Sequence, residues 1–395
     1  MRLTAPSSKS MTQRALVIAA LAEGPSTIVR PLVCDDSGYL TTLLRALGVA
    51  VEWRDGKAAV APAPLASDGA PVFCGNAGTA VRFGACLSLV CGGPLVLDGD
   101  EHMQRRPLGP LAQSLAALGV TCAWLGRDGC VPLRLERTGA LASEVMIDAS
   151  LSSQYASGLL LVAPRLPHGL VLELTGAKVS QPYLDMTVAM MAQAGAQVER
   201  SGRRFRVPPG RYRRTPAIET DWSSAAFLLA AGRIAGVPVE VADLPAPGAS
   251  LQGDSAFAAM LAELGQPRAH EFDLTDTPDL LAPLVAVALF ASHPTRIRGA
   301  AHTRVKECDR IAVLCRELGR IGAQLHERPD GIALDPLVTP RAAPVTLDPE
   351  DDHRMAMAFG LVSLRVPAIE IADRNCVSKS FPEFWQRLAR IRDIS

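Results

Sequence analysis

Positively charged side chains stand at or just inside the start of several predicted helices. Lys9 opens an apolar helical segment, and Arg14 follows about one turn later. A helix N-terminus carries partial positive charge and free N–H groups, so a cation there costs about 0.3–1 kcal/mol unless an anion is bound beside it. The same conflict arises in segments 75–82, 304–310 and 351–354. The pattern therefore predicts several anion-binding helix starts in one chain.

Each of these features also has a simpler interpretation when it is taken alone. The serines at 152–153 fit an ordinary helix cap. Lys306 and Arg310, with acidic neighbours, fit a solvated i,i+4 helix face. His353 fits an isolated core or surface histidine, and Asp279, which follows Thr-Pro, fits an early-helix acid. These interpretations stay open for single segments, but the joint occurrence of all these features in one chain favours an anion site.

The composition limits what such a site can bind. The chain has 395 residues, in which 40 Lys and Arg balance 40 Asp and Glu. Without a net charge or a basic block there is no extended field to hold nucleic acid or an anionic membrane, so we expect small ligands. The longest apolar run, 280–291, contains Pro283 and is shorter than the roughly 20 residues that cross a bilayer. The length predicts two or three domains.

Cysteine and histidine usage predicts a cytoplasmic protein without a metal. The nine cysteines are odd in number and never spaced C-x-x-C, and the seven histidines form no ligand pair. The apolar run at 15–22 is too short and too closely preceded by charge to favour an export signal. The phosphate-binding patterns G-x-x-x-x-G-K-[ST] and G-x-G-x-x-G are absent from the sequence, as is the hydrolase pattern G-x-S-x-G.

A repeated pattern predicts the elements that position these residues. An apolar helical segment that ends in Gly and continues into a strand-like run recurs at Gly48, Gly119, Gly195, Gly265 and Gly322. Glycine at these places suits a left-handed helix cap. The near-constant spacing predicts six similar α/β units.

The Pro- and Arg-rich stretch 207–216 is the best candidate for a linker, because three of the predicted units lie on each side of it. We therefore expect two lobes with a cleft between them. The first lobe is predicted over 9–215, and the second over 1–8 plus 216–395.

Taken in order, the segments resemble those of the 5-enolpyruvylshikimate-3-phosphate synthase family, almost from end to end. The matching segments are PSSKSMTQRAL (6–16), GNAGTAVR (75–82), QRRPLGPL (104–111), SSQYASGLLL (152–161), VSQPYLDM (179–186), TPDLLAPLVAVALFA (277–291), RVKECDRIA (304–312), DDHRMAMAF (351–359) and CVSKSFPEFW (376–385). The resemblance implies an α/β fold, the inside-out α/β barrel, with three similar βαβαββ-type units in each of two lobes. It implies transfer of the carboxyvinyl group of phosphoenolpyruvate to the 5-hydroxyl of shikimate 3-phosphate, with no metal or organic cofactor.

The resemblance also implies two sets of substrate contacts. The set for shikimate 3-phosphate is Ser10, Arg14, Ser152, Ser153, Gln154, Ser180, Tyr183, Asp279 and Lys306. The set for phosphoenolpyruvate is Lys9, Gly78, Arg106, Arg310, Arg354 and Lys379, with Gln154 between the ligands and His353 nearby. Asn76, Thr79 and His302 complete the predicted substrate-binding residues. The two substrates carry roughly −6 in total, which the seven cations of these sets can offset.

The reaction also needs an acid and a base. We expect Asp279 to take the proton of the sugar hydroxyl and Glu307 to protonate C3 of phosphoenolpyruvate. Lys9 or Lys379 can exchange roles with either carboxyl group, because pKa values move readily in a charged, closed site. A monomer with these two small molecules as its only partners is expected.

Some positions depart from the family pattern and leave alternatives open. Ser7 stands for the usual Gly, Gln13 and His302 for Asn, and Phe83 for Pro. Because His302 falls where the acceptor is normally contacted, a modified shikimate remains an alternative acceptor. UDP-N-acetylglucosamine is disfavoured, because the related transferase carries a reactive Cys near 100–106 and this chain has none there. A catalytically silent homologue would be expected to lack Glu307, Asp279 or Lys379, and all three are present.

Overall fold

Two compact units make up the chain. The computed structural model describes residues 1–177, 180–341, 344–367 and 369–394, so the motif at 179–186 begins one residue before the described part. The N-terminal unit is Ser7–Ile218, and the C-terminal unit combines Met1–Pro6 with Glu219–Ser395. Within the described part of the chain, no helix has the length and apolar character needed to span a membrane.

Helices and short strands alternate along the N-terminal unit. The chain begins with strand β1 (Arg2–Leu3), which belongs to the C-terminal unit. The N-terminal unit then contains α1 (Lys9–Ala20), β2 (Ser26–Val29), α2 (Asp35–Ala46), β3 (Ala50–Arg54), β4 (Lys57–Ala61), β5 (Pro71–Phe73), α3 (Gly78–Leu87), β6 (Leu95–Asp98), α4 (Gly109–Ala117), β7 (Val120–Trp124), β8 (Leu133–Arg137), β9 (Glu144–Asp148), α5 (Ser153–Val162), β10 (Leu170–Thr175), α6 (Gln181–Gln193), β11 (Glu199–Ser201) and β12 (Arg204–Val207).

The C-terminal unit repeats this alternation. Its further elements are α7 (Trp222–Ala235), β13 (Glu240–Val241), α8 (Phe257–Glu263), β14 (His270–Asp273), α9 (Leu281–Ala288), β15 (Thr295–Arg298), α10 (Arg310–Arg320), β16 (Leu325–Arg328), β17 (Gly331–Leu334), β18 (Val345–Leu347), α11 (His353–Val362), β19 (Ile369–Ile371) and α12 (Phe384–Arg392).

Three four-stranded sheets share one topology. Their strand orders are β5-β6-β8-β7, β9-β10-β12-β11 and β14-β15-β17-β16. In each sheet the first two strands are parallel and the last two form an antiparallel hairpin, which is the predicted βαβαββ arrangement. The other sheets are shorter: β2-β4-β3 is antiparallel, and the pairs β1-β13 and β18-β19 are parallel without a hairpin among the described residues. The predicted α/β class is confirmed, although these sheets remain separate and close no barrel within the described residues.

An inner group of three helices forms the core of each unit. Helices α1, α3 and α5 pack on one another in the N-terminal unit, and α7, α9 and α11 do so in the C-terminal unit. All residues of α9 are buried, as expected for a helix that is apolar on every side. Gly158 permits a close approach of α5 to α3, because a Cβ there would lie 2.7 Å from the Cys86 sulfur. Strands pack on these inner helices, β2 and β4 on α1, β6 on α3 and β10 on α5, as the inside-out arrangement requires.

The repeated glycines adopt the predicted cap conformation at most positions. Gly48, Gly119, Gly195 and Gly322 have φ between +92° and +101°. The prediction is wrong for Gly265, which has no positive φ. It follows α8, which leads to the parallel strand β14 of the next unit rather than into a hairpin, so the turn that needs a left-handed residue does not form there.

The segment predicted as a linker packs within the N-terminal unit. Tyr212 is fully buried, and its hydroxyl donates a hydrogen bond to the carbonyl of Leu161 at 2.8 Å. The division between the compact units falls after Ile218, a few residues beyond the predicted lobe boundary.

Candidate functional site

The first turns of the inner helices carry the residues that the sequence singles out. In the N-terminal unit, Lys9 is the first residue of α1, and its Nζ donates to Asp36 Oδ2 at 2.8 Å. Both side chains are largely buried. Among the described residues, Ser8 makes no side-chain cap for α1. A cation therefore occupies an uncapped helix start, and an acid from α2 balances it.

Arg14 joins α1 to two other helices. Its Nε donates to Thr187 at 2.8 Å, and its Nη2 donates to Ser157 at 3.3 Å and to the Tyr183 carbonyl at 3.2 Å. A further bond runs from Nη1 to the Ser10 carbonyl at 2.9 Å. Burial lowers the pKa of Arg14 to about 10, so the guanidinium stays charged at neutral pH.

Arg106 follows the short 3-10 turn Met103–Arg105, and its side chain contacts the glycine-containing turn before α3. Its Nη1 donates to the side-chain oxygen of Asn76 at 3.0 Å and to the carbonyl of the same residue at 3.1 Å. Gly78 is the first residue of α3, and a Cβ built on it would lie 2.6 Å from Arg106 Nη2. The absence of a side chain at Gly78 therefore sets the position of the Arg106 guanidinium.

Gln154 connects the starts of α3 and α5. Its Nε2 donates to Thr79 Oγ1 at 3.0 Å, and its Oε1 accepts from Arg82 Nη1 at 2.7 Å. Ser152 caps α5 by accepting from the Gln154 N–H at 3.2 Å, which confirms the capping interpretation for this serine. Ser153, the first residue of α5, is buried. The structure thus groups the predicted residues of two motifs around one amide side chain.

Ser180 and Tyr183 begin helix α6. Ser180 has a φ of +53°, a left-handed conformation that is uncommon for a residue with a Cβ, and it is buried. Tyr183 is half-buried, and its carbonyl accepts from Arg14. The two residues therefore lie with Arg14 in one part of the N-terminal unit.

Asp279 is the centre of the ionic cluster in the C-terminal unit. Its Oδ1 accepts from Lys306 Nζ and from Arg310 Nη1, each at 3.0 Å, and its Oδ2 accepts from Arg354 Nη2 at 2.9 Å. Burial alone would raise the pKa of Asp279, but the three cations hold it well below its usual value. The side chain is therefore an ionised carboxylate at neutral pH.

Arg310 is the most buried cation of this cluster, with 1% of its surface exposed. Besides Asp279 it bonds Asp352 Oδ2 at 2.7 Å and Glu307 Oε2 at 2.9 Å. Burial opposes its charge, but these carboxylates raise the pKa of Arg310 well above its usual value. The burial and ion pairs of Arg310 exclude a solvated helix face for this residue. A further cation joins the cluster, since Lys379 Nζ lies 3.7 Å from Glu307 Oε1.

Two predicted helix starts differ from expectation. Helix α10 begins at Arg310 and is capped by Asp309, so Lys306 and Glu307 precede the helix instead of forming its first turn. The chain at Asp279 forms a short 3-10 turn, and α9 begins only afterwards. Helix α11 begins at His353, within the predicted segment, and is capped by Asp352. In α10 and α11 the capping carboxylate therefore accepts from a helix N–H group, and the nearby arginines contact carboxylates.

Two of the predicted site residues are buried histidines of the same unit. His353 is the first residue of α11, and its Nδ1 lies 3.8 Å from Asp352 Oδ1. His302 is 7% exposed, and burial together with the charge of Lys306 lowers its pKa to about 4, although Asp279 acts in the opposite direction. His302 is therefore a neutral side chain over the physiological pH range.

We predict that His302→Asn makes the protein less sensitive to mild acid. The unfolded histidine binds a proton near pH 6.5 and the folded one only near pH 4, so folding loses stability as the pH falls between these values. The wild-type free energy of unfolding should fall by up to about 2 kcal/mol more than that of the variant between about pH 7.5 and pH 5. Urea unfolding at the two pH values measures this. An equal loss in both proteins would contradict it.

The cluster changes the predicted charge balance. Four cations, Lys306, Arg310, Arg354 and Lys379, stand with three carboxylates, those of Asp279, Glu307 and Asp352. Asp36 likewise pairs with Lys9. Carboxylates of the protein itself thus partly neutralise the seven predicted cations. The positive charge left to balance the substrates is smaller than the number of cations alone suggests.

Three residues near the site, Asp36, Arg82 and Asp352, were not among those predicted from the sequence. Arg82 holds Gln154 and stacks on the ring of Tyr155 at 5.4 Å. Its signal was its place in the motif at 75–82, one turn after Gly78. No group of metal-ligating side chains occurs within the described ranges.

Comparison with known proteins identifies the family. The family described as EPSP synthase (3-phosphoshikimate 1-carboxyvinyltransferase) matches residues 1–388. The chain belongs to the EPSP synthase family. The resemblance seen in the sequence is thereby confirmed.

Two relatives named 3-phosphoshikimate 1-carboxyvinyltransferase illustrate membership of the EPSP synthase family. The protein of Methanoculleus marisnigri is 39% identical over 97% of this chain and 95% of its own length. The protein of Nitrosomonas europaea is 38% identical over 98% of this chain and 95% of its own length. A solved EPSP synthase from Acinetobacter baumannii superimposes with a TM-score of 0.76 over 99% of this chain and 95% of that chain, at 21% identity, which supports the fold.

Proposed function

We propose that this EPSP synthase family member transfers the carboxyvinyl group of phosphoenolpyruvate to the 5-hydroxyl of shikimate 3-phosphate and releases phosphate. The observation that carries the proposal is the partly buried Asp279 carboxylate, which contacts Lys306, Arg310 and Arg354. A base and its surrounding cations are what a reaction between two anionic substrates requires. The protein is then a transferase of the shikimate pathway to chorismate.

In this proposal the predicted residues of each unit are divided between the two anions. In the N-terminal unit, the residues assigned to shikimate 3-phosphate are Ser10, Arg14, Ser152, Ser153, Gln154, Ser180 and Tyr183, and those assigned to phosphoenolpyruvate are Lys9, Asn76, Gly78, Thr79 and Arg106. In the C-terminal unit, Asp279, His302 and Lys306 are assigned to the acceptor, and Arg310, His353, Arg354 and Lys379 to the donor. Charge-assisted bonds to phosphate and carboxylate oxygens suit these cations.

Asp279 is a weak base while Lys306, Arg310 and Arg354 hold its pKa low. When the phosphate and carboxylate groups of the substrates bind these cations, the attraction of the cations is divided between the substrates and Asp279. The pKa of Asp279 therefore rises toward that of a useful base. Asp279 then takes the hydroxyl proton as the oxygen bonds to C2, and Glu307, in its protonated form, gives a proton to C3. Loss of phosphate from C2 and return of a C3 proton to Glu307 regenerate the double bond, and the departing phosphate carries away the proton held by Asp279. Lys9 and Lys379 are the alternative proton carriers.

Phosphate release tests the proposed function. The protein is supplied with phosphoenolpyruvate alone, with shikimate 3-phosphate alone, with both, or with phosphoenolpyruvate and UDP-N-acetylglucosamine. Phosphate should appear only when both phosphoenolpyruvate and shikimate 3-phosphate are present, together with a carboxyvinyl ether detected by mass spectrometry. The proposal would be refuted by phosphate release with the nucleotide sugar instead of shikimate 3-phosphate, or by the absence of release with every combination.

We predict that Gly78→Ala weakens donor binding. The new Cβ would displace Arg106, and loss of a charged hydrogen bond costs about 1.5–3 kcal/mol, so KM for phosphoenolpyruvate should rise about 10- to 100-fold. KM for shikimate 3-phosphate should change little. Gly109→Ala is the matched control, because Gly109 is likewise the first residue of a helix and a Cβ there meets nothing within 4 Å. Equal effects of the two substitutions would contradict the assignment of Arg106.

A cytoplasmic location and a monomeric state are part of the same proposal. All nine cysteines are free thiols, and most of them are buried, which supports a reducing compartment. Light scattering of the purified protein checks the oligomeric state.

A further inference from the structure

Another carboxyl group lies buried in the C-terminal unit, outside every motif assigned to the site. Asp254 is in a short 3-10 turn ahead of α8, and 2% of its surface is exposed. The turn that carries Asp254 and the turn that carries Asp279 both pack against α7, as does α11, which carries Arg354. Asp254 interacts electrostatically with both Asp279 and Arg354. Burying a carboxyl group is costly unless it is neutral or paired, so its position calls for an explanation.

The surroundings hold Asp254 in a fixed orientation. Its Oδ2 accepts a hydrogen bond from the hydroxyl of Ser223, in the first turn of α7. Its Oδ1 has no hydrogen-bond partner in the described part of the chain. The neighbouring Gln252 fixes the turn to α7, because its amide donates to the Thr220 carbonyl at 2.9 Å and accepts from the Trp222 N–H at 3.0 Å.

The charged groups that face Asp254 come from three directions. Asp279 precedes α9, Arg354 lies in the first turn of α11, and Asp221 caps α7. Burial raises the pKa of Asp254 to about 7, with the charges of Asp279 and Asp221 acting in the same direction and Ser223 and Arg354 opposing them. Asp254 therefore changes its charge near neutral pH, whereas Asp279 is already ionised there.

We propose that Asp254 is a positioning residue that acts through Asp279: its negative charge, when present, strengthens the attraction of Asp279 for the proton of the acceptor hydroxyl. The inference rests on the proposed function, because it assigns Asp279 as the base. A second carboxylate close to Asp279 repels its charge and partly offsets Arg354, so the base binds a proton more tightly. Asp254 exchanges its own proton with water and forms no bond to the substrate.

The pH dependence of turnover tests the role. Asp254→Asn keeps an oxygen that accepts from Ser223 but stays neutral at every pH. Below about pH 6 its kcat should match that of the wild type, and above about pH 8 it should be about three- to tenfold lower, because only the wild type then carries the extra charge. A merely structural role would lower kcat by the same factor at all pH values, and a constant ratio would overturn the proposal.

Ser223→Ala is the second variant and retains both carboxyl groups. Loss of the donated hydrogen bond should move the rise in kcat to higher pH, since this bond favours the charged form of Asp254. An unmoved rise would count against the proposal. This variant decides the question if Asp254→Asn does not fold.

Carboxyl ¹³C NMR separates this inference from the proposed function, because it needs no turnover. The titration midpoint of Asp254 should fall in Asp279→Asn, which removes a facing negative charge. An unchanged midpoint would overturn the coupling even in an active enzyme. Conversely, if the titration of Asp254 responds to Asp279→Asn but the protein never releases phosphate, only the proposed function is refuted.

Discussion

Asp279→Asn should lower kcat by about 100- to 10,000-fold while leaving the dissociation constant for phosphoenolpyruvate unchanged or smaller. The amide has nearly the shape of the carboxylate but does not accept the hydroxyl proton. Lys306, Arg310 and Arg354 lose the negative charge that now balances them. Their increased positive potential favours an anionic ligand, so catalysis and binding should change in opposite directions.

Steady-state kinetics and calorimetric titration with phosphoenolpyruvate measure the two effects of Asp279→Asn separately. Asp273→Asn is the matched control, because Asp273 lies in the same unit but is more exposed and contacts Arg298 and Thr275. The control should keep wild-type kcat. Turnover of Asp279→Asn within threefold of the wild type would remove Asp279 as the base, and weaker binding without loss of kcat would make it a structural ion-pair partner.

The starts of α1 and α3 could be predicted because their signal is local. A cation such as Lys9 at a helix N-terminus is unfavourable by itself, so its occurrence indicates a compensating anion. Gly78 was likewise found in a motif that leads directly into a helix. The repeated units were predictable for the same reason, since each combines short-range helix, cap and strand patterns.

The partners of these cations could not be predicted from local patterns. Arg354 bonds Asp279 from 75 positions away, and Arg82 bonds Gln154 from 72. Such pairs form only because the inner helices pack side by side, and residue spacing does not encode which first turns meet. Asp254 was missed for this reason, since its segment contains no unusual charge pattern.

Arg310→Ala should destabilise the protein by about 3–5 kcal/mol, in addition to abolishing turnover. The substitution leaves three carboxylates, those of Asp279, Glu307 and Asp352, without the guanidinium that bonds all three. Arg310→Lys should recover only part of the loss, because an ammonium group lacks the planar set of donors. Arg298→Ala, which removes a more exposed ion pair with Glu271, should cost at most about 1 kcal/mol.

The pH dependence of this stability loss identifies its cause. In the wild type the cations depress the pKa of Asp279, so its contribution to stability is present above the unfolded pKa and is lost as the pH falls. In Arg310→Ala, Asp352 loses its guanidinium partner, and Asp279 and Glu307 each lose one of their cations. Protonation of these carboxylates relieves the excess negative charge, so the difference in unfolding free energy should shrink between about pH 7.5 and pH 5. Urea unfolding followed by tryptophan fluorescence measures it. A difference that stays constant with pH would mean that lost packing, rather than uncompensated charge, destabilises the variant.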